Sequence, residues 1–139
     1  MKIIFCDTNI VFWLFKKIAS GEEIEHSVLF EFAKKNEVII SDFVIEEAER
    51  NIFIKYNISL FKYHIQIFLE ESNIKLTKSN ILHGEALPYV NDLNDAQILQ
   101  DAIDCDADYI VTKNISDFDI EEIYDKFGIK ITRNLPIWA

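Results

Sequence analysis

The chain alternates short β-branched runs with longer stretches whose apolar positions recur every three to four residues. Ile3-Ile4-Phe5 opens it as a buried strand. From Thr8 to about Lys17, the residues Ile10, Val11, Trp13, Leu14 and Phe15 are dense enough for a largely buried helix, which Ala19-Ser20-Gly21 breaks. Glu22 to Lys35 sets Ile24, Val28, Leu29, Phe32 and Ala33 at the spacing of an amphipathic helix. Val38-Ile39-Ile40 is a second strand, and Ser41-Asp42 after it suits a helix cap. A helix from about Phe43 to Tyr56 follows, its apolar stripe centred on Val44, Ile45, Ala48 and Ile52. Ser59 to Ser72 carries Leu60, Phe61, Ile65, Phe68 and Leu69 at helical spacing, and Ile74-Lys75-Leu76 makes a third strand.

Residues 77–91 show no clear period. Gly84 and Pro88 mark a turn there, and Ile81 to Leu87 fit a short helix. Asp92-Leu93-Asn94-Asp95-Ala96 then opens a helix with Ile98, Leu99, Ala102 and Ile103 in register, ending near Asp104 to Asp108. Tyr109-Ile110-Val111-Thr112 is the clearest later strand. The polar turn Lys113-Asn114-Ile115-Ser116-Asp117-Phe118 leaves its carboxyl end. A helix near Ile120 to Phe127, a strand from Ile129 to Thr132 and a tail through Pro136 and Trp138 complete the pattern. Strands alternating with helices predict an α/β fold: a central, mostly parallel sheet of about five strands with helices on both faces.

At 139 residues the chain fits one domain, 1–139, large enough to bury a sizeable core. With 3 Gly, 2 Pro and no biased tract, the sequence predicts no linker and no repeat. Apolar runs such as Ile10 to Phe15 fall well short of the ~18 residues of a membrane span. The first residues enter a strand pattern without a basic region or cleavage site, so the expected location is cytoplasmic. Cys6 and Cys105 lie far apart among apolar or small residues and read as two buried thiols. His26, His64 and His83 are isolated, which argues against a zinc site or a Ser-His-Asp arrangement. Charge complicates the picture, since 14 basic against 24 acidic residues gives −10, which repels a polyanion at long range. Carboxylates gathered to hold cations, or a basic partner, reconcile that acidity with a nucleic-acid substrate. A soluble acidic surface is the plain alternative.

Some of the acids fall at notable places. Asp7 stands at the carboxyl end of the first strand, the edge where open α/β sheets bind ligands. Asp7-Thr8-Asn9 equally suits a helix cap. In the helix after the second strand, Glu46 lies opposite the apolar stripe and reads as solvated. Glu47 and Glu49 sit on the two flanks of the stripe, so the wheel narrows the choice without settling it. Asp95 falls in the first turn of its helix, where a cap and the helix dipole favour an acid for structural reasons alone.

Taken together, Ile3-Ile4-Phe5-Cys6-Asp7-Thr8-Asn9, Ser41-Asp42-Phe43-Val44-Ile45-Glu46-Glu47, Asn94-Asp95-Ala96 and Val111-Thr112-Lys113-Asn114-Ile115-Ser116-Asp117-Phe118 resemble the PIN-domain nucleases, and among them the VapC-like toxins. The resemblance spans essentially the whole chain, through four short motifs in order. It implies a three-layer α/β/α fold and a cluster of acids that binds Mg²⁺ or Mn²⁺ to cleave RNA. By position, Asp7, Glu47 and Asp95 match the first three acids. The pattern departs at the fourth, where Asn114 stands in place of a common Asp and Asp117 follows three residues later. Either Asp117 supplies a carboxylate or Asn114 contributes a neutral oxygen, with Asp92 a weaker candidate. Thr8 and Asn9 match polar partners of the first acid, and Thr112 and Asn114 are expected to position phosphate or ligand carboxylates. Lys113 and Arg133 are candidate phosphate contacts or plain solvated charges.

The resemblance further implies a small antitoxin that covers the acidic edge, and a homodimer, for which Trp13, Phe53, Phe61 and Tyr63 are interface or core. Two other acid-bearing folds fit less well. A receiver domain wants a second acid beside the first, where Thr8 and Asn9 stand, and a haloacid-dehalogenase-like phosphatase wants Asp-x-Asp. A PIN-like scaffold without a working metal site, acting as a protein or RNA interaction module, is the non-enzymatic alternative.

Overall fold

A computed structural model describes residues 2–11, 34–53, 63, 66, 70 and 74–133 of the chain. Five strands form one sheet: β1 Ile3–Cys6, β2 Glu37–Ser41, β3 Ile74–Thr77, β4 Tyr109–Val111 and β5 Lys130–Thr132. Their order across the sheet is β3-β2-β1-β4-β5, and every pairing is parallel. Three helices of eight residues or more are described: α1 Asp42–Phe53, α2 Leu93–Asp104 and α3 Ile120–Phe127. Among the described residues no helix is long and apolar enough to cross a membrane.

Apolar runs without alternation mark the central strands, because a parallel strand is covered on both faces. Ile4, Phe5 and Cys6 of β1 are fully buried, as are Val38 and Ile40 of β2 and Ile110 and Val111 of β4. Phe5 pairs with Ile39 on one side and with Ile110 on the other. Val44 and Ala48 from α1, Ala96, Ile98, Leu99 and Ala102 from α2, and Ile123 from α3 close the same core.

Progress from β1 through β2 to β3 moves one way along the sheet, while β3 to β4 to β5 moves the other way. Right-handed crossovers therefore put the connecting helices on opposite faces, in a three-layer α/β/α arrangement. The direction reverses between β1 and β4, so the crevice outside the carboxyl ends of those two strands is the topological switch point. Cys6 and Val111 are register partners at that edge, and the Asp7 amide continues the ladder by donating to the Val111 carbonyl at 3.0 Å.

The expected short helix from Ile81 to Leu87 is not formed. Gly84 adopts φ +84, a left-handed value that ends any helix, and a 3-10 turn spans Leu87–Tyr89 with Pro88 in its opening positions. The stretch before it is held from outside: Gln100, itself buried, donates to the Ile81 carbonyl at 2.9 Å and accepts from the His83 amide at 2.9 Å. Cys105 is half-buried, not buried as expected, because it lies just past the end of α2, whereas Cys6 is enclosed and its thiol is pushed up to about 12 by burial. The two helices expected between the first two strands, Trp13, Phe61, the side chain of Phe53 and the Pro136 to Trp138 tail fall outside the described residues. Tyr63 is exposed.

Candidate active site

Asp7 follows β1 directly, and its carbonyl accepts from the Ile10 amide at 3.0 Å, so it occupies the entry of the helix beginning at Thr8. Its side chain does not behave as an ordinary cap, which would accept from the second or third helical amide. Oδ1 accepts from the neighbouring Thr8 amide at 2.6 Å, and Oδ2 accepts from the Thr112 hydroxyl at 2.7 Å. Thr112 is fully buried at the exit of β4, and its oxygen also accepts from Asn9 Nδ2 at 3.3 Å and from the Asn114 amide at 3.1 Å. With two N–H groups pointing at it, the hydroxyl has its own proton left for Asp7. Asn9 closes the ring by accepting from the Lys113 amide at 3.1 Å through Oδ1. Burial pushes the Asp7 carboxyl above its ordinary value, the hydrogen bonds from Thr112 and Thr8 pull it back, and the charge of Glu47 raises it again.

Glu47 reaches this edge from α1. Its Oε1 accepts from the Thr8 hydroxyl, so Thr8 joins the first acid to the second: its amide goes to Asp7 and its hydroxyl to Glu47. Glu46 is exposed, as its place on the helical wheel requires. Ser41, at the end of β2, starts α1 by accepting from the Val44 amide at 3.3 Å.

Asp95 stands in the first turn of α2. The cap of that helix is Asp92, whose Oδ1 accepts from the Asp95 amide at 2.9 Å. Asp95 is thereby released from capping, yet it is buried, and among the described residues its Oδ2 has no hydrogen-bond partner. Burial, and then the charges of Asp92, Asp117 and Asp7, push its carboxyl up to about 7. The same effects show which charges act on one another: Asp95 feels Asp92, Asp117 and Asp7, and Asp7 feels Glu47.

At the fourth position, Asn114 is exposed and its side chain does not cap the 3-10 turn Ile115–Asp117. Asp117, at the end of that turn, is the residue whose charge reaches Asp95. Lys113 and Arg133 are exposed at the exits of β4 and β5.

Among the described residues no group of three or more His, Cys, Asp or Glu side chains stands in a geometry that holds a metal ion. Mg²⁺ asks for less, because it keeps several waters and usually takes one or two carboxylates together with substrate phosphate. The residues present fit such an ion. They are hard oxygen donors, and among the described residues the buried Asp95 Oδ2 has no hydrogen-bond partner, which leaves it as an acceptor for a ligand.

Sequence reasoning missed a second polar group beside the site. Asp101 is buried on α2 and accepts from Ser79 Oγ at 2.6 Å and from Gln97 Nε2 at 2.9 Å, with Ser41 also bonded to it. Gln100 and Asp101 interrupt the apolar stripe of their helix, and that interruption was the available signal. Asn91, which contacts Asp117, carried none.

No protein-family model matches the chain, and no curated protein matches it. Solved structures do. The structure of VapBC2 from Rickettsia felis bound to a DNA fragment from their promoter superposes with a TM-score of 0.61, at 20% identity over 93% of this chain and 96% of that one. VapBC-1 from nontypeable Haemophilus influenzae gives 0.54, at 16% identity over the same shares of the two chains. At these identities the likeness is one of fold, and the fold of this chain is that of a VapC-like PIN domain.

Proposed function

We propose that the chain is a divalent-metal-dependent endoribonuclease that hydrolyses RNA phosphodiester bonds, the toxin of a toxin–antitoxin pair. The observation that carries this reading is the buried, unpartnered Asp95 Oδ2, held within the field of Asp7 and Asp117 at the switch point of the sheet. The likeness in fold to two VapBC structures supports the toxin–antitoxin part.

Asp7 and Asp95 are the residues that would hold Mg²⁺ or Mn²⁺, with Glu47 as a direct or water-mediated ligand and Asp117 supporting a second position. When bound, the cation supplies Lewis-acid polarisation of the phosphoryl group and a water of lowered pKa for in-line displacement. Thr112 and the Thr8 amide fix both oxygens of Asp7, so this carboxylate is oriented before any ligand arrives. Glu47, tethered by Thr8, would orient the attacking water and take its proton. Asn9 and Asn114 steady the strand exit and offer amide groups to phosphate. A basic segment of a small antitoxin suits an edge of this charge, and a net charge of −10 speeds such an encounter at low salt.

The test is cleavage of a mixed RNA pool by the wild type and by Asp7→Asn, with Mn²⁺ supplied or chelated. Cleavage is expected only from the wild type with metal, and the variant is expected to lose about 100-fold or more. Equal activity in both proteins, or none in either with Mn²⁺ present, sinks the nuclease reading and leaves the interaction scaffold.

A further inference from the structure

Two loops that the strand pattern leaves unrelated are fastened to each other beside the acids. Val90 forms an isolated antiparallel bridge with Phe118. The Asn91 amide donates to the Asp117 carbonyl at 3.1 Å, and the Asp119 amide donates to the Tyr89 carbonyl at 2.8 Å. Asn91 then uses its side chain on the same residue, Nδ2 donating to Asp117 Oδ1 at 3.2 Å. Asp117 is held from its other side as well, its amide donating to the Asn114 carbonyl at 3.0 Å. The residue after Asn91 is Asp92, the cap that starts the helix bearing Asp95. One short segment thus grips the fourth acid and launches the third.

We propose that Asn91 is a positioning residue for the cation site: by holding Asp117 Oδ1 it fixes the carboxylate and leaves Oδ2 for a divalent ion. The inference rests on the metal-dependent reading above. A donor of this kind does two things for a ligating carboxylate. It fixes the rotamer, so that no ordering entropy is spent when the ion binds, and it disperses charge that the other acids repel. The second effect matters here because Asp117 is one of the charges acting on Asp95. The side chain of Asn91 is exposed, so it contributes little to the core, and its role is read from what it touches.

Mn²⁺ binding measured calorimetrically on the purified chain separates the possibilities. Asn91→Ala is expected to bind Mn²⁺ about tenfold more weakly than the wild type. In the Asp117→Asn background the same change is expected to have no further effect, since the interaction it removes is already gone. The melting temperature of the metal-free protein is expected to stay within about 2 °C of wild type, in keeping with a surface change. If Asn91→Ala does not fold, Asn91→Leu keeps a side chain of similar size and the same backbone pairing, offers the Asp117 carboxylate no donor, and is expected to weaken binding by a similar factor. Unchanged Mn²⁺ affinity in the variant, or an equal loss with and without Asp117, overturns the inference while leaving the nuclease reading intact. A wild type that binds no Mn²⁺ overturns both.

Discussion

Asp7 and Asp95 are both buried acids, and their surroundings treat them differently. Asp7 has a donor on each oxygen, whereas Asp95 Oδ2 has none among the described residues and Asp95 feels three other charges. The consequence is a pH dependence whose sign follows from linkage. An acid raised from 3.8 to about 7 keeps its proton in the folded chain after the unfolded chain has released it. Across that window the unfolded state binds fewer protons, so stability falls as pH rises from about 4 to about 7, then levels off. The metal-free protein is therefore expected to melt lower at pH 8 than at pH 5, and Asp95→Asn to flatten that slope. An identical slope in the variant would show that Asp95 is not the group responsible. The place of Asp7 at a strand end and the exposure of Glu46 were readable in the sequence, since strand ends and helical wheels are local. Asn91 was not, and Asp101 showed only as a break in an apolar stripe, because the partners that give them meaning, Asp117, Ser79 and Ser41, come from other elements.

At the scale of elements, caps and turns decide where each acid points. Asp92 caps α2 and Asp119 caps α3, accepting from the Glu122 amide at 3.4 Å. α3 ends at Gly128 with φ +70, whose amide donates to the Tyr124 carbonyl at 2.9 Å. A Cβ built there meets nothing within 4 Å, so replacing this glycine costs only the left-handed backbone. Gly128→Ala is expected to lower stability by about 1–2 kcal/mol in denaturant titrations. Mn²⁺ affinity is expected to be unchanged, since the cap lies away from the acids, and a coupled loss of affinity would contradict that separation. The five strands and the three described helices were legible because each carries a sustained apolar period or a β-branched run. Residues 77–91 were not, because the conformation of that stretch is imposed by Gln97, Gln100 and Asp101 from α2 and by Asp42 from α1, which accepts from the Ser79 amide at 2.8 Å.

For the whole molecule, strand order matters more than any single strand. Alternation of strands and helices predicts parallel pairing, yet it is the adjacency of β1 and β4 in the order β3-β2-β1-β4-β5 that places Asp7 and Thr112 side by side at the reversal. The acids gathered there belong to a chain of net charge −10, and both features oppose compaction through self-repulsion. The metal-free protein is therefore expected to melt higher in 150 mM than in 10 mM NaCl, where the Debye length shortens from about 30 to about 8 Å. A melting temperature that falls with salt would mean that attractive pairs, not repulsion, dominate the charge balance.

The central position of β1 also governs when the acidic edge can exist. β1 pairs with β2 and with β4, and the hydrogen bond between Asp7 and Thr112 closes a loop of 105 residues. During synthesis Asp7 leaves the ribosome long before Thr112, and parallel pairing across so long a separation is slow. Until β4 has emerged, the first acid lacks its hydroxyl partner, α2 lacks a complete sheet to lie on, and Asp95 has no Asp7 to face. The acidic edge therefore comes into being only once β4 has paired with β1.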